Sequence, residues 1–175
     1  MVSLNHVDLD KLYESIKEIE NNPTKAKRII KVEGDWILNE KEPQFRTYIA
    51  TESSTFSLEA DQPSFLGGKG VRPGPMHYCI FGLAACYLAT FVTLSAMQGV
   101  VLKKAKVITE SYMDLSRTLG LSNNPIIEKV KFRIIVDSSV DERKIQELSK
   151  LAEERCPAVY CLSNPIQFSS EIIKE

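Results

Sequence analysis

The sequence predicts an α+β domain organised around one long buried helix, and three observations carry that expectation. Between Arg72 and Lys103, thirty consecutive residues carry no charge when His77 is neutral, as a helix covered on every face requires. Residues 129–136 alternate cleanly, with Val130, Phe132, Ile134 and Val136 on one face and Lys129, Lys131 and Arg133 on the other, the period of a half-buried strand. Amphipathic helical stripes lie near both ends of the chain, so helices and strands come in blocks rather than as a repeated strand–helix unit.

Each element has its own signal. Over residues 8–20 the apolar Leu9, Leu12, Tyr13, Ile16 and Ile19 recur at three and four, and Asn21-Asn22-Pro23 stops the helix. Residues 27–37, 45–51 and 55–60 mix apolar and polar positions between turn-like breaks and read as meander strands. Pro63, Gly67, Gly68, Gly70, Pro73 and Pro75 make 62–75 a loop. Pro75 suits the first turn of the long helix, expected over about 76–98, and Gly99 suits its end. Strands follow at 104–112 and 129–136. Ser139 with Glu142 forms a capping-box pattern for a helix whose stripe is Ile145, Leu148 and Leu151, ending at Arg155-Cys156-Pro157. Ile166, Phe168 and Ile172 suggest a last strand. At 175 residues with no linker, repeat or low-complexity tract, one domain over 1–175 is expected, with an N-terminal helical extension at about 1–23.

Composition excludes several classes of function. With 43% hydrophobic and 26% charged residues the chain is that of a folded soluble protein. A net charge of −1 with no basic cluster excludes a nucleic-acid partner. The first 23 residues lack the charged start, apolar centre and small-residue cleavage site of a secretory signal, so the protein is read as cytoplasmic. The charge-free run is long enough to span a bilayer. It carries His77, Tyr78, Tyr87, Thr90, Thr93, Ser95 and Gln98 between two amphipathic halves, and a buried helix without a membrane partner is the better account.

Candidate chemistry sits on the cysteines at 79, 86, 156 and 161, too few and too clustered for a disulfide scaffold. Cys86 lies among the small residues Gly82, Ala84 and Ala85, where packing alone would explain it. Cys156 follows an amphipathic helix and precedes Pro157, a position dictated by neither core period nor turn chemistry. A two-thiol peroxidase needs one thiolate to attack an O–O bond and become a sulfenic acid, and a second thiol to condense with it. A helix C-terminus disfavours a thiolate, which makes Cys156 the resolving thiol and Cys86 the attacking one, and asks for a cation near Cys86. Cys79 precedes Cys86 by seven residues, about 20° off the same helical face, and is expected in the core. Cys161 is a spare or alternative resolving thiol. The spacing of the four thiols and His77 is not the tight pair of a zinc site, so no structural metal is expected. Gly67-Gly68-Lys69-Gly70 lacks the spacing and the Lys-Ser/Thr ending of a phosphate loop.

Taken together, Gly67-Gly68, the helix opening at Pro75-Met76, Gly82-Leu83-Ala84-Ala85-Cys86 and the later Cys156-Pro157 resemble the OsmC/Ohr group of thiol-dependent hydroperoxide reductases, over about 45–175. The resemblance implies an OsmC-like α+β fold, antiparallel sheets packed around the long central helix, in an intertwined homodimer. It implies a peroxidatic Cys86 and a resolving Cys156 that reduce organic hydroperoxides to alcohols through a sulfenic acid and a disulfide. No bound cofactor is implied; an external dithiol, lipoyl groups included, is the implied reductant. It places a thiolate-stabilising arginine at Arg46, with Arg72 in the loop as the competitor. The sequence departs from the family pattern where a glutamate usually stands nine or ten residues before the attacking cysteine, because those positions are His77 and Met76. Nine residues put His77 about 13 Å along the helix from Cys86 and roughly 180° around it. A direct role for His77 then needs a dimer interface or a broken helix. With Arg72 and Cys79 it belongs to the candidate binding residues. The rival reading keeps the fold and drops the catalysis: a binding protein that holds a small hydrophobic ligand in an apolar dimer pocket, with the cysteines as packing residues.

Overall fold

A computed structural model describes residues 2–174. The chain divides into two compact units, one formed by Met1–Leu12 and Gly82–Glu175, the other by Tyr13–Phe81. Both boundaries fall inside helices, α1 (Leu9–Asn21) and α2 (Pro75–Met97).

The first unit begins with a tight hairpin, β1 (Ser3–Leu4) and β2 (Val7–Asp8), whose corner residues Asn5 and His6 have φ of 54° and 66°. Asn tolerates that left-handed backbone, and its side-chain amide is fixed on both sides. Asn5 Nδ2 donates to the Val100 carbonyl at 2.8 Å, and the Leu102 N–H donates to Asn5 Oδ1 at 2.9 Å. The hairpin is thereby pinned to the chain that leaves α2. That exit turns on Gly99, whose φ of 69° lets the Val100 N–H reach the Ser95 carbonyl at 2.9 Å. Two long antiparallel strands follow, β6 (Leu102–Met113) and β7 (Ile127–Ser138), each longer at both ends than its alternating pattern alone suggests. Next come α3 (Glu142–Arg155) and α4 (Pro157–Ser163). Tyr87, Phe91 and Leu94 of α2, Val100, Leu148 and Ala152 of α3, and Cys156 with Ala158 form one buried cluster. Phe132, Ile134 and Val136, the apolar face of β7, pack against it, with the Phe132 ring centroid 5.0 Å from that of Tyr87.

The second unit holds a three-stranded antiparallel meander, β3 (Gly34–Trp36), β4 (Phe45–Ala50) and β5 (Thr55–Ala60). The loop after it is ordered by the buried Asp61, whose Oδ2 accepts the N–H groups of Lys69 and Val71, both at 3.1 Å. Gly68 is required there, since a Cβ would lie 1.9 Å from the Gln62 carbonyl oxygen. At the start of α2 the Gly74 N–H donates to His77 Nδ1 at 3.2 Å.

The α+β class and the long helix are as the sequence predicts, and several details differ. Residues 27–33 lie outside any strand, with Ile29 and Ile30 almost fully exposed; four of the seven residues are charged and the adjacent Ile29 and Ile30 break the alternation, so no sheet face demands the stretch. The chain after Cys156 forms α4, a helix that the sequence does not predict, and the strand expected at Ile166, Phe168 and Ile172 is absent, 164–174 having no regular structure and all three residues being exposed. Pro157 supplies the reason for α4, since a proline without an N–H is as well suited to open a helix as to end the previous one. The cap of α3 is Asp141, whose Oδ1 accepts the Lys144 N–H at 2.8 Å, rather than Ser139. Finally, α2 is not covered on every face: Tyr87, Phe91, Leu94, Ser95 and Ala96 are its buried residues, all in its second half, while Phe81 is 71% exposed. By length and composition α2 also suffices to cross a membrane.

Candidate thiol site

The two cysteines singled out by sequence meet in the first unit. Cys86 lies midway along α2, and Cys156 at the joint between α3 and α4. Their sulfurs are 3.7 Å apart, with the Cys156 thiol directed at Cys86, and all four cysteines are free thiols. A disulfide needs about 2.05 Å between sulfurs, so bond formation asks for an approach of side chains, not a rearrangement of helices.

The joint holds Cys156 from both sides. Its N–H donates to the Ala152 carbonyl at 2.9 Å as the end of α3, and its carbonyl accepts the Tyr160 N–H at 2.9 Å as the start of α4. Cys156 is 1% exposed. Ala152 and Ala158, also buried, carry no side chain beyond Cβ and leave room for α2 to come close. The sequence argument that Cys156 faces a single helix C-terminus does not hold here, because the same residue opens the next helix. Tyr87, beside Cys86, shares a hydrogen bond with Ser149 Oγ at 3.0 Å and ties α2 to α3.

Burial pushes the Cys86 thiol above the ordinary thiol range; the Ala158 N–H, directed at its sulfur, opposes the shift, and the neighbouring thiols Cys156 and Cys161 add to it. A raised value means a small thiolate fraction at neutral pH. Alkylation of Cys86 by iodoacetamide, followed by peptide mass mapping, is therefore expected to rise about tenfold per pH unit and to level off only above about pH 8.5, the ordinary thiol value. A plateau below neutrality would contradict the burial argument.

In the second unit, the arginines singled out by sequence converge on a residue that sequence reasoning missed. Strand pairing sets Arg46 opposite Glu59. Arg46 Nε donates to Glu59 Oε1 at 2.9 Å and Nη2 to Glu42 Oε2 at 2.9 Å, while Arg72 Nε donates to Glu59 Oε2 at 2.7 Å. The two guanidiniums hold the Glu59 carboxyl below the usual carboxylate range, Arg72 first, and the carboxylates of Glu42 and Glu59 raise Arg46. Tyr78 Oη donates to the Glu59 carbonyl at 2.6 Å. The signal for Glu59 was available: a hairpin joining 45–51 to 55–60 has only a few registers, and one of them pairs these opposite charges. His77 is engaged in the first turn of α2, as described above. Cys79 is exposed, not in the core, as is Phe81 two residues on, while Tyr78 beside it is half-buried. An apolar cavity of about 830 Å³ lies in this unit, lined by Trp36, Phe45, Leu58, Pro75, Tyr78 and Phe81 among others. Among the described residues no three His, Cys, Asp or Glu side chains are grouped to hold a metal ion.

Comparison with known proteins bears on the fold that carries these residues. A family model described as OsmC-like protein matches residues 67–171. The chain is similar to the OsmC-like protein from Mycoplasma pneumoniae, at 23% identity and a TM-score of 0.53, over 77% of this chain and 89% of that one. It is similar to the organic hydroperoxide resistance protein OsmC from Legionella pneumophila, at 16% identity and a TM-score of 0.54, over 78% and 92%. An OsmC-like protein of unknown function from Vibrio cholerae shares 14% identity at a TM-score of 0.58, over 78% and 95%. At these identities the likeness shows the fold alone. A comparison with curated proteins finds no match.

Proposed function

This chain belongs to the OsmC-like protein family, and on that premise we propose that it is a thiol-dependent peroxidase that reduces organic hydroperoxides to alcohols. One observation carries the reading: the 3.7 Å separation of the Cys86 and Cys156 sulfurs, which are seventy residues apart in the chain. In this reading the Cys86 thiolate attacks the O–O bond, the alcohol leaves, and a sulfenic acid remains on Cys86. The Cys156 thiol then attacks that sulfur, water leaves, and the Cys86–Cys156 disulfide forms. An external dithiol, a lipoyl group among the candidates, reduces the disulfide. No bound cofactor takes part. By resemblance to the family, the cation that a buried thiolate requires is assigned to Arg46 or Arg72, whose guanidiniums Glu59 holds within the second unit. The working form is proposed to be a cytoplasmic homodimer, a second copy covering the apolar first half of α2.

The apolar setting of Cys86 favours alkyl or lipid hydroperoxides over hydrogen peroxide. With dithiothreitol as reductant, kcat/KM for cumene hydroperoxide is expected to exceed that for hydrogen peroxide by about tenfold or more, the scale that one or two buried methylenes provide. Equal turnover of the two would remove the preference. The 830 Å³ apolar cavity favours a second reading, a non-catalytic carrier of a small hydrophobic ligand. Native mass spectrometry of the purified protein separates the two: a co-purified lipid on a protein inert to peroxide supports the carrier.

A further inference from the structure

The reaction proposed above, on which this inference rests, leaves a disulfide that an external dithiol must reach. Reduction begins when a thiolate attacks one of the two sulfurs along the S–S axis, so access decides the rate. Cys156 is 1% exposed and clamped between two helices, which closes that sulfur to a solvent reductant. Cys86 is partly open. The third thiol of this unit, Cys161, is exposed and lies on α4, the short helix that Cys156 opens.

The helix geometry decides where Cys161 points. Residues three and four apart share a helix face, so Cys161 stands over Ala158 and Pro157, one turn further on. Ala158 is the residue whose N–H is directed at the Cys86 sulfur. Side chains on a helix lean toward its N-terminus, which carries the Cys161 thiol back toward that same spot. Relative to Cys156, by contrast, Cys161 is about 140° around the helix axis, an unsuitable arrangement for a bond within α4. The joint beside Cys86 thus carries a buried thiol, Cys156, and on the same short helix an exposed one, Cys161.

We propose that Cys161 is a third redox thiol that moves the disulfide from the buried Cys86–Cys156 pair to an accessible Cys86–Cys161 pair before the external dithiol acts. The Cys161 thiolate attacks the Cys86 sulfur, a Cys86–Cys161 bond forms, and the bond to Cys156 breaks. Cys156 leaves as the thiolate and takes up the proton that Cys161 released, so the exchange is redox-neutral. The external dithiol then attacks the Cys161 sulfur at the surface and is itself oxidised to a cyclic disulfide, returning Cys86 and Cys161 as thiols.

The test uses the full-length protein and Cys161→Ser, each oxidised in parallel by one equivalent of cumene hydroperoxide and by diamide, which forms disulfides without a peroxide. Free thiols are blocked with N-ethylmaleimide before digestion with trypsin and chymotrypsin, since cleavage after Tyr160 separates Cys156 from Cys161. Both Cys86–Cys156 and Cys86–Cys161 linked peptides are expected from the wild type. Re-reduction of oxidised Cys161→Ser by dithiothreitol is expected to be about tenfold slower than that of the wild type, as a loss of access to the attacked sulfur demands. Absence of the Cys86–Cys161 peptide from the wild type, or equal rates of re-reduction, would overturn the proposal. If diamide yields both linked peptides while cumene hydroperoxide leaves every thiol free, the exchange stands and the peroxidase reading fails.

Discussion

Cys86→Ser is expected to lower kcat/KM for cumene hydroperoxide by about 10⁴-fold or more, the scale on which loss of a covalent nucleophile acts. A serine hydroxyl is almost never ionised near neutral pH and forms no sulfenic acid, so neither half of the reaction remains. The substitution removes little volume at a partly buried site, and the fold should survive, which makes the loss attributable to chemistry. Cys156→Ser is expected to behave differently, reacting once with peroxide and stopping as a sulfenic acid on Cys86. Peroxide consumption followed by absorbance, with circular dichroism as a check on folding, reads both. A Cys86→Ser protein within tenfold of the wild type would place the reactive sulfur elsewhere.

Phe91→Ala is expected to destabilise the protein by about 3–5 kcal/mol, the cost of removing a buried aromatic ring and leaving a cavity. Phe91 is 0% exposed and shares its cluster with Tyr87, Leu148 and Ala152, and with Cys156 itself. For a chain of this length each kcal/mol shifts the melting temperature by about 2–4 °C, so thermal unfolding should show a drop of about 6 °C or more. The same cluster holds the α3–α4 joint against α2, so the variant is also expected to form the Cys86–Cys156 disulfide more slowly after peroxide. A melting temperature within 1 or 2 °C of the wild type, by the same scaling, would mean that the core is not where the burial pattern puts it.

What the sequence made legible was whatever depends on local period and punctuation. The alternation of Val130, Phe132, Ile134 and Val136 states which face of β7 is buried, and that face packs on the core. The end of α3 at Arg155 was readable because Pro157 cannot continue a helix from there. The same proline concealed α4, since a helix stop and a helix start have the same residue at this spacing. The apolar Ile166, Phe168 and Ile172 looked like a strand, yet a strand needs a partner edge, which a sequence period does not supply.

At the site, the proximity of Cys86 and Cys156 is a tertiary fact that no spacing encodes; their unusual local contexts only marked them as worth pairing. Arg46 and Arg72 were visible as cations, whereas the residue that fixes both, Glu59, depends on hairpin register. The expectation that α2 would be covered on all sides followed from its lack of charge. Composition states that a surface avoids water, not that the same chain covers it, and the first half of α2 shows the difference at Phe81 and Cys79.

The central claim is that Cys86 and Cys156 form a working pair, and counting thiols by intact-protein mass spectrometry before and after one equivalent of cumene hydroperoxide tests it most directly. Loss of two thiols per chain, with a Cys86–Cys156 linkage among the products and a sulfenic acid trapped on Cys86 in Cys156→Ser, is the predicted result. Four thiols intact after the peroxide would contradict it and leave Cys86 and Cys156 as packing residues of an apolar binding protein.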